Sequence, residues 1–157
     1  MQESVSPMSE SATPLLSGLV AATFTPMRSD DAIDLQRIPA VCDFVLGQGV
    51  DGLFVCGSTG ESPSLTIDER MAVAETYIEA TAKRVPVVVH VGHNSLSDAR
   101  TLAAHAQQLG ADAIAVVPPS YFPLTSVDVL VECLQQIAKG APEVPLFCYH
   151  IPPITGV

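Results

Sequence analysis

Five short apolar runs punctuate the sequence: "GLVAATF" (18–24), "GLFVC" (52–56), "VPVVVHV" (85–91), "AIAVV" (113–117) and "VPLFCYH" (144–150). Between successive runs lies a stretch with the spacing of a one-faced helix. The third run is almost continuously β-branched, as expected of a strand covered on both faces. The first helical stretch places Leu35, Ile38, Val41, Cys42, Val45 and Leu46 on one side, and Gly49 supplies its stop. Pro39 moves its expected start to near Ile38. Thr66-Ile67-Asp68-Glu69 reads as a capping box that opens a helix to about Ala82. Ser97-Asp98 is the expected cap of the third helix, which ends at Gly110, and the fourth runs from Ser126 to Lys139 before Gly140. The order β-α-β-α-β-α-β-α-β predicts an α/β fold with a parallel sheet and helical crossovers. A doubly wound open sheet and part of an eight-stranded (β/α)8 TIM barrel both satisfy it. The polar, Gly- and Pro-rich loops after the last four runs favour the barrel, which builds its sites from such loops.

Composition narrows the partners. The 157-residue chain has seven basic residues and a formal charge of −10, which argues against a nucleic-acid or anionic-membrane surface. No run approaches the ~18 apolar residues of a membrane span. Residues 1–17 are rich in Ser, Pro and Glu and lack a secretory pattern, so they read as a disordered tail before a domain at 18–157. Cys42, Cys56, Cys133 and Cys148 show no C-x-x-C spacing and lie among apolar neighbours, which predicts buried free thiols and a cytoplasmic location.

The turn Gly57-Ser58-Thr59-Gly60-Glu61 comes straight out of the second apolar run. It lacks the lysine of a P-loop, the spacing of a dinucleotide fingerprint and the central serine of a nucleophile elbow. Two readings remain: a cradle in which Ser58, Thr59 and nearby N–H groups bind a small carboxylate, or a plain turn. Glu61 reads as a general base or as compensation of a helix dipole. His90 and His93 straddle a strand end and are expected to point different ways, with no Cys or carboxylate at ligand spacing, so no metal site is expected. Tyr121 and Tyr149 fall at or just beyond strand ends, where a phenol can carry a proton or simply pack. His150, next to Tyr149, is a candidate substrate contact or a structural histidine.

"GLVAATFTP" (18–26), "GSTGES" (57–62), "HVG" (90–92) and "YHIPPITGV" (149–157) together resemble the family of Schiff-base aldolases that contains the N-acetylneuraminate lyases and the dihydrodipicolinate synthases. The resemblance implies a (β/α)8 barrel working on a small-molecule 2-oxo acid or sialic acid, without metal or organic cofactor, in a homotetramer. By position it makes Ser58 and Thr59 a clamp for the substrate carboxylate and Tyr149 a proton relay. Tyr121 matches a tyrosine that reaches into a neighbouring subunit's site. Where the synthase branch carries an arginine for a second carboxylate this sequence has Ile154, and where it carries an asparagine this sequence has His150. An apolar side chain cannot pair with a carboxylate, so the lyase branch is favoured, with cleavage to N-acetylmannosamine and pyruvate. The family's imine-forming lysine belongs at the end of a sixth strand, beyond Val157. Lys83 and Lys139 are expected at the wrong face of the barrel. The sequence therefore reads as the N-terminal part of such a barrel, unable to turn over by itself. The alternatives are a dihydrodipicolinate synthase-like or other pyruvate-dependent aldolase, a non-catalytic half-barrel, and a doubly wound ligand-binding domain.

Overall fold

In the computed structural model, which describes residues 15–122 and 124–155, each apolar run becomes a short parallel strand. These are β1 (Val20–Ala22), β2 (Gly52–Val55), β3 (Val87–His90), β4 (Ala113–Val116) and β5 (Leu146–Cys148). The crossovers are α1 (Ile38–Leu46), α2 (Ile67–Thr81), α3 (Leu96–Gln108) and α4 (Val127–Ala138), and a one-turn α5 (Pro152–Thr155) follows β5. Strand order in the sheet is sequential, β1-β2-β3-β4-β5, with every pair parallel. A doubly wound sheet reverses its order at a switch point, so the sequential order excludes that alternative. α1 packs on α2, α2 on α3 and α3 on α4, so all four crossovers lie side by side on one face, as in half a barrel.

The continuous apolar runs follow from this placement. Leu53, Val55, Val87, Val89, Ile114 and Val116 face the helices in the main core. Val88, Ala113 and Ala115 form a smaller cluster with Phe54 and Leu16 on the opposite, inner face. Residues 1–14 of the expected tail lie outside the described residues, and packed chain begins at Leu16, ahead of the expected boundary at Gly18.

At α2 both hydrogen bonds of the expected Thr66–Glu69 capping box form. A 3-10 turn at Leu35–Arg37 precedes α1, so the α-helix itself starts at Ile38 with Pro39 in its first turn. α3 corrects the expectation: its cap is Ser95, whose hydroxyl accepts the Asp98 N–H at 3.3 Å, and Ser97 lies inside the helix. The thiols need correction too. All four are free, but only Cys42 and Cys56 are buried, whereas Cys133 is half-buried and Cys148 exposed. Cys148 sits on β5, which pairs on one side only, so its surroundings are more open than its apolar neighbours in sequence suggest. Among the described residues, no helix is long and apolar enough to cross a membrane.

Candidate active site

The loops after β2, β3, β4 and β5 gather at the carboxyl ends of the strands. β2 ends in a turn that starts at Cys56, a non-glycine residue at φ +58°, and Glu61 closes it at φ +55°. Gly57 is required here by contact, because a Cβ would stand 2.5 Å from the Phe54 ring. The turn is braced from outside. Thr25 Oγ1 donates to the Gly60 carbonyl at 2.8 Å, and the Glu61 N–H donates to the Ser58 carbonyl at 3.1 Å. Tyr77 from α2 donates its hydroxyl to the Phe24 carbonyl at 2.7 Å, fixing the β1 loop that carries Thr25. Ser58 and Thr59 are exposed at the rim. Among the described residues, the N–H groups of Ser58, Thr59 and Gly60 meet no protein acceptor. With the Gly57, Ser58 and Gly60 carbonyls engaged and these N–H and hydroxyl groups open, the turn has the donors that an anion would need.

Beside the turn opens a cavity of about 200 Å³, lined by Ser58, Ser62, Arg70, His90, Asn94 and Ser120 among others. Arg70 is a cation in the core. It occupies the apolar stripe of α2 with Val73, Ala74 and Tyr77, and is 2% exposed. Its Nη2 donates to the His90 carbonyl at 2.8 Å and its Nη1 to the Gly92 carbonyl at 3.0 Å, while Nε has no partner. Burial pulls the Arg70 guanidinium below its ordinary value and pushes the neighbouring Cys56 thiol up to about 12, so Cys56 stays protonated.

Tyr149 follows β5. Its N–H donates to the Val116 carbonyl at 2.8 Å, and its ring meets Phe54 edge-on at 5.3 Å and His90 edge-on at 6.2 Å between centroids. The ring therefore leans on residues of β2 and β3. Ser58 and His90 line the same cavity, whereas Tyr149 does not line it and meets it only through its ring contact with His90. Thr59 and His150 are exposed. Tyr121 does not line the cavity; it is 76% exposed and stacks edge-on with Phe122 at 4.9 Å. The Asn94 side-chain oxygen accepts the N–H groups of Ser120 and Tyr121, which fixes the direction of that loop.

His90 and His93 do diverge. The His90 ring bonds the Cys56 carbonyl and the Val117 N–H, whereas His93 Nδ1 accepts the Ser95 N–H at 3.0 Å and lies 3.6 Å from Asp98. Sequence reasoning missed Arg70 and the bridging part of His90. The first had a readable signal, a charged residue at a core position of an apolar stripe; the second had only its place in "HVG".

Other proteins share this arrangement. The family model described as the dihydrodipicolinate synthetase family matches residues 15–157. The N-acetylneuraminate lyase A of Xenopus laevis is 46% identical over 144 residues, covering 90% of this chain and 47% of that protein. The solved structure of Proteus mirabilis N-acetylneuraminate lyase superposes with a TM-score of 0.85 at 34% identity, covering 88% of this chain and 47% of the other. Dihydrodipicolinate synthase from Aquifex aeolicus gives 0.83 at 34% identity, covering 90% and 47%. The chain spans about half the length of the relatives it matches. The sequential parallel sheet matches the N-terminal half of their barrel, and the chain belongs to the dihydrodipicolinate synthetase family.

Proposed function

We propose that these residues form the carboxylate-binding and proton-carrying half of a Schiff-base aldolase site that cleaves N-acetylneuraminate to N-acetylmannosamine and pyruvate. The observation that carries the reading is the open Gly57–Gly60 turn, whose N–H groups meet no acceptor among the described residues and whose Ser58 shares a cavity with His90, the ring partner of Tyr149. The 46% identity to a lyase supports the choice of branch. So does Ile154, which offers no cation for a second carboxylate.

In this scheme Ser58 and Thr59 hold the carboxylate of the 2-oxo acid. A lysine amine condenses with the ketone carbon, water leaves, and the imine becomes an electron sink. Tyr149, having given its own proton to the departing water as the imine forms, takes the proton from the hydroxyl β to the imine carbon as the carbon–carbon bond breaks. The bond electrons pass into the imine to give an enamine, and the aldehyde departs. The enamine carbon is reprotonated and hydrolysis returns pyruvate and the free amine. Lys83 and Lys139 do not supply that amine, and we assign it to a sixth strand outside this sequence. The exposed Tyr121–Phe122 pair supports a subunit contact, in keeping with a homotetramer.

The test uses full-length protein carrying these residues, incubated with N-acetylneuraminate and assayed for released pyruvate. Thr59→Val should raise KM about 10- to 150-fold, the equivalent of a hydrogen bond to a charged group. Absence of pyruvate release, or a Thr59→Val variant with unchanged KM, rejects the reading.

A further inference from the structure

We propose that His90 is the positioning residue of this site: its imidazole ties the clamp turn to the end of β4 and gives the Tyr149 ring its seat. The inference rests on the clamp and relay parts given above to Ser58, Thr59 and Tyr149. The ring is 6% exposed and makes two bonds of opposite sense. Nδ1 stands 3.0 Å from the Cys56 carbonyl, and Nε2 stands 3.1 Å from the Val117 N–H. A carbonyl only accepts and an amide N–H only donates. The proton is therefore on Nδ1 and the lone pair on Nε2, so the ring is neutral.

Cys56 immediately precedes Gly57, so the first bond holds the entry to the clamp. The second holds β4 just beyond the bond from the Val91 N–H to the Ala115 carbonyl (2.8 Å). Arg70 grips the carbonyls of His90 and Gly92 and so fixes the backbone from which the ring projects. Gly92 makes room for the bridge. A Cβ there would lie 2.8 Å from His90 Nε2, and 2.6 and 2.9 Å from the Val117 oxygen and nitrogen. Val91 points to the helix-side core, fully buried. The triplet "HVG" thus has a physical account: a bridge, a core residue and the space the bridge needs.

Protonation at Nε2 would set donor against donor at Val117. The groups facing the ring are the Arg70 charge from α2, the Phe54 ring of β2, the Cys56 carbonyl after β2 and the Tyr149 ring after β5. Burial, aided by the Arg70 charge, lowers the His90 pKa to about 4, so the bridge persists at neutral pH.

The experiment reads the bridge directly. Long-range 1H–15N spectra of the chain should show a protonated Nδ1 and bare Nε2 at His90, unchanged from about pH 8 to about pH 5. The Gly57–Gly60 amide and Tyr149 ring signals should move only when His90 titrates. His90→Leu should displace both sets of signals, and His90→Gln, with one donor and one acceptor, should bring them back. An Nε2-protonated ring overturns the proposal, as does a folded His90→Leu variant with unshifted signals. Should His90→Leu not fold, the wild-type tautomer and the Gly92→Ala spectra decide in its place. In the full-length enzyme, His90→Leu should raise KM about tenfold and lower kcat as well, while Thr59→Val moves KM alone. Full activity of His90→Leu sinks the positioning role only; an unaffected Thr59→Val variant sinks the clamp reading instead.

Discussion

A phenol that carries a proton and a phenol that only packs have the same ring, and substitution by Phe separates them. Tyr149 packs on Phe54 and His90, contacts that Tyr149→Phe keeps. In the full-length enzyme kcat should nevertheless fall about 10²- to 10⁴-fold, the size of a general acid–base contribution. A near-normal kcat would move the relay elsewhere, with His150 the next candidate. His90 gives a second prediction at this scale. Its folded pKa lies near 4, below the ordinary 6.5, so between those values the unfolded chain binds the proton first. Stability is then greatest above pH 6.5 and falls as the pH drops toward 4, by at most about 3 kcal/mol. Urea unfolding should show that slope, and His90→Gln should flatten it; an unchanged slope would assign the acid sensitivity to other groups. The sequence displayed the hydroxyl pair because Gly57 and Gly60 flank it in the chain, and the tyrosine because it stands at the end of an apolar run. It hid His90's part, because the ring's partners are backbone atoms 34 and 27 residues away. No local spacing records such a bond.

Elements were more legible than single contacts, and their errors have local causes. The five strands and four crossover helices stand where the apolar runs and caps put them. The miss at α3 arose because Ser95 and Ser97 are both good caps, and the preference for one depends on where the loop after β3 delivers the chain. Asn94 binds the Ser120 and Tyr121 N–H groups across the site, so the chain turns into the helix directly after it, at Ser95. The two serines therefore differ in a measurable way. Ser95→Ala removes the acceptor of the Asp98 N–H and should cost about 1 kcal/mol, while Ser97→Ala, inside the helix, should cost little. Chemical denaturation of the two variants checks this. Equal losses would mean that the cap shifts freely between the two positions.

At the scale of the whole molecule, loop chemistry only leans toward the barrel, the family resemblance implies it, and the sequential strand order bears it out. Among the described residues, β1 and β5 each pair on one side only, and Leu19, Phe24 and Phe147 are 63%, 50% and 39% exposed. Open edges and apolar surface favour association, so the 157-residue chain should sediment above its 16.5 kDa monomer mass. A monomer in solution would mean that the edges are protected. The same geometry decides where an imine can form. The crossover helices run opposite to the strands, so the carboxyl end of each helix lies at the amino end of the next strand. Lys83 follows α2, donates to the Gly110 carbonyl at 2.5 Å and pairs with Asp112 at 3.6 Å. That Asp112 accepts the Val87 N–H at the start of β3, which puts Lys83 at the amino ends of the strands. Lys139 caps α4 ahead of β5, and its Nζ donates to Gln136. Both amines lie on the face opposite the Gly57–Gly60 turn and cannot reach a ketone whose carboxylate is held there. Borohydride reduction of this chain with pyruvate should therefore leave Lys83 and Lys139 unmodified by intact-mass and peptide analysis. Full-length protein under the same treatment should gain one pyruvyl group per chain on a lysine beyond residue 157. A stoichiometric adduct on Lys83 or Lys139 would place the reacting carbon at the opposite end of the barrel and remove the clamp from the mechanism.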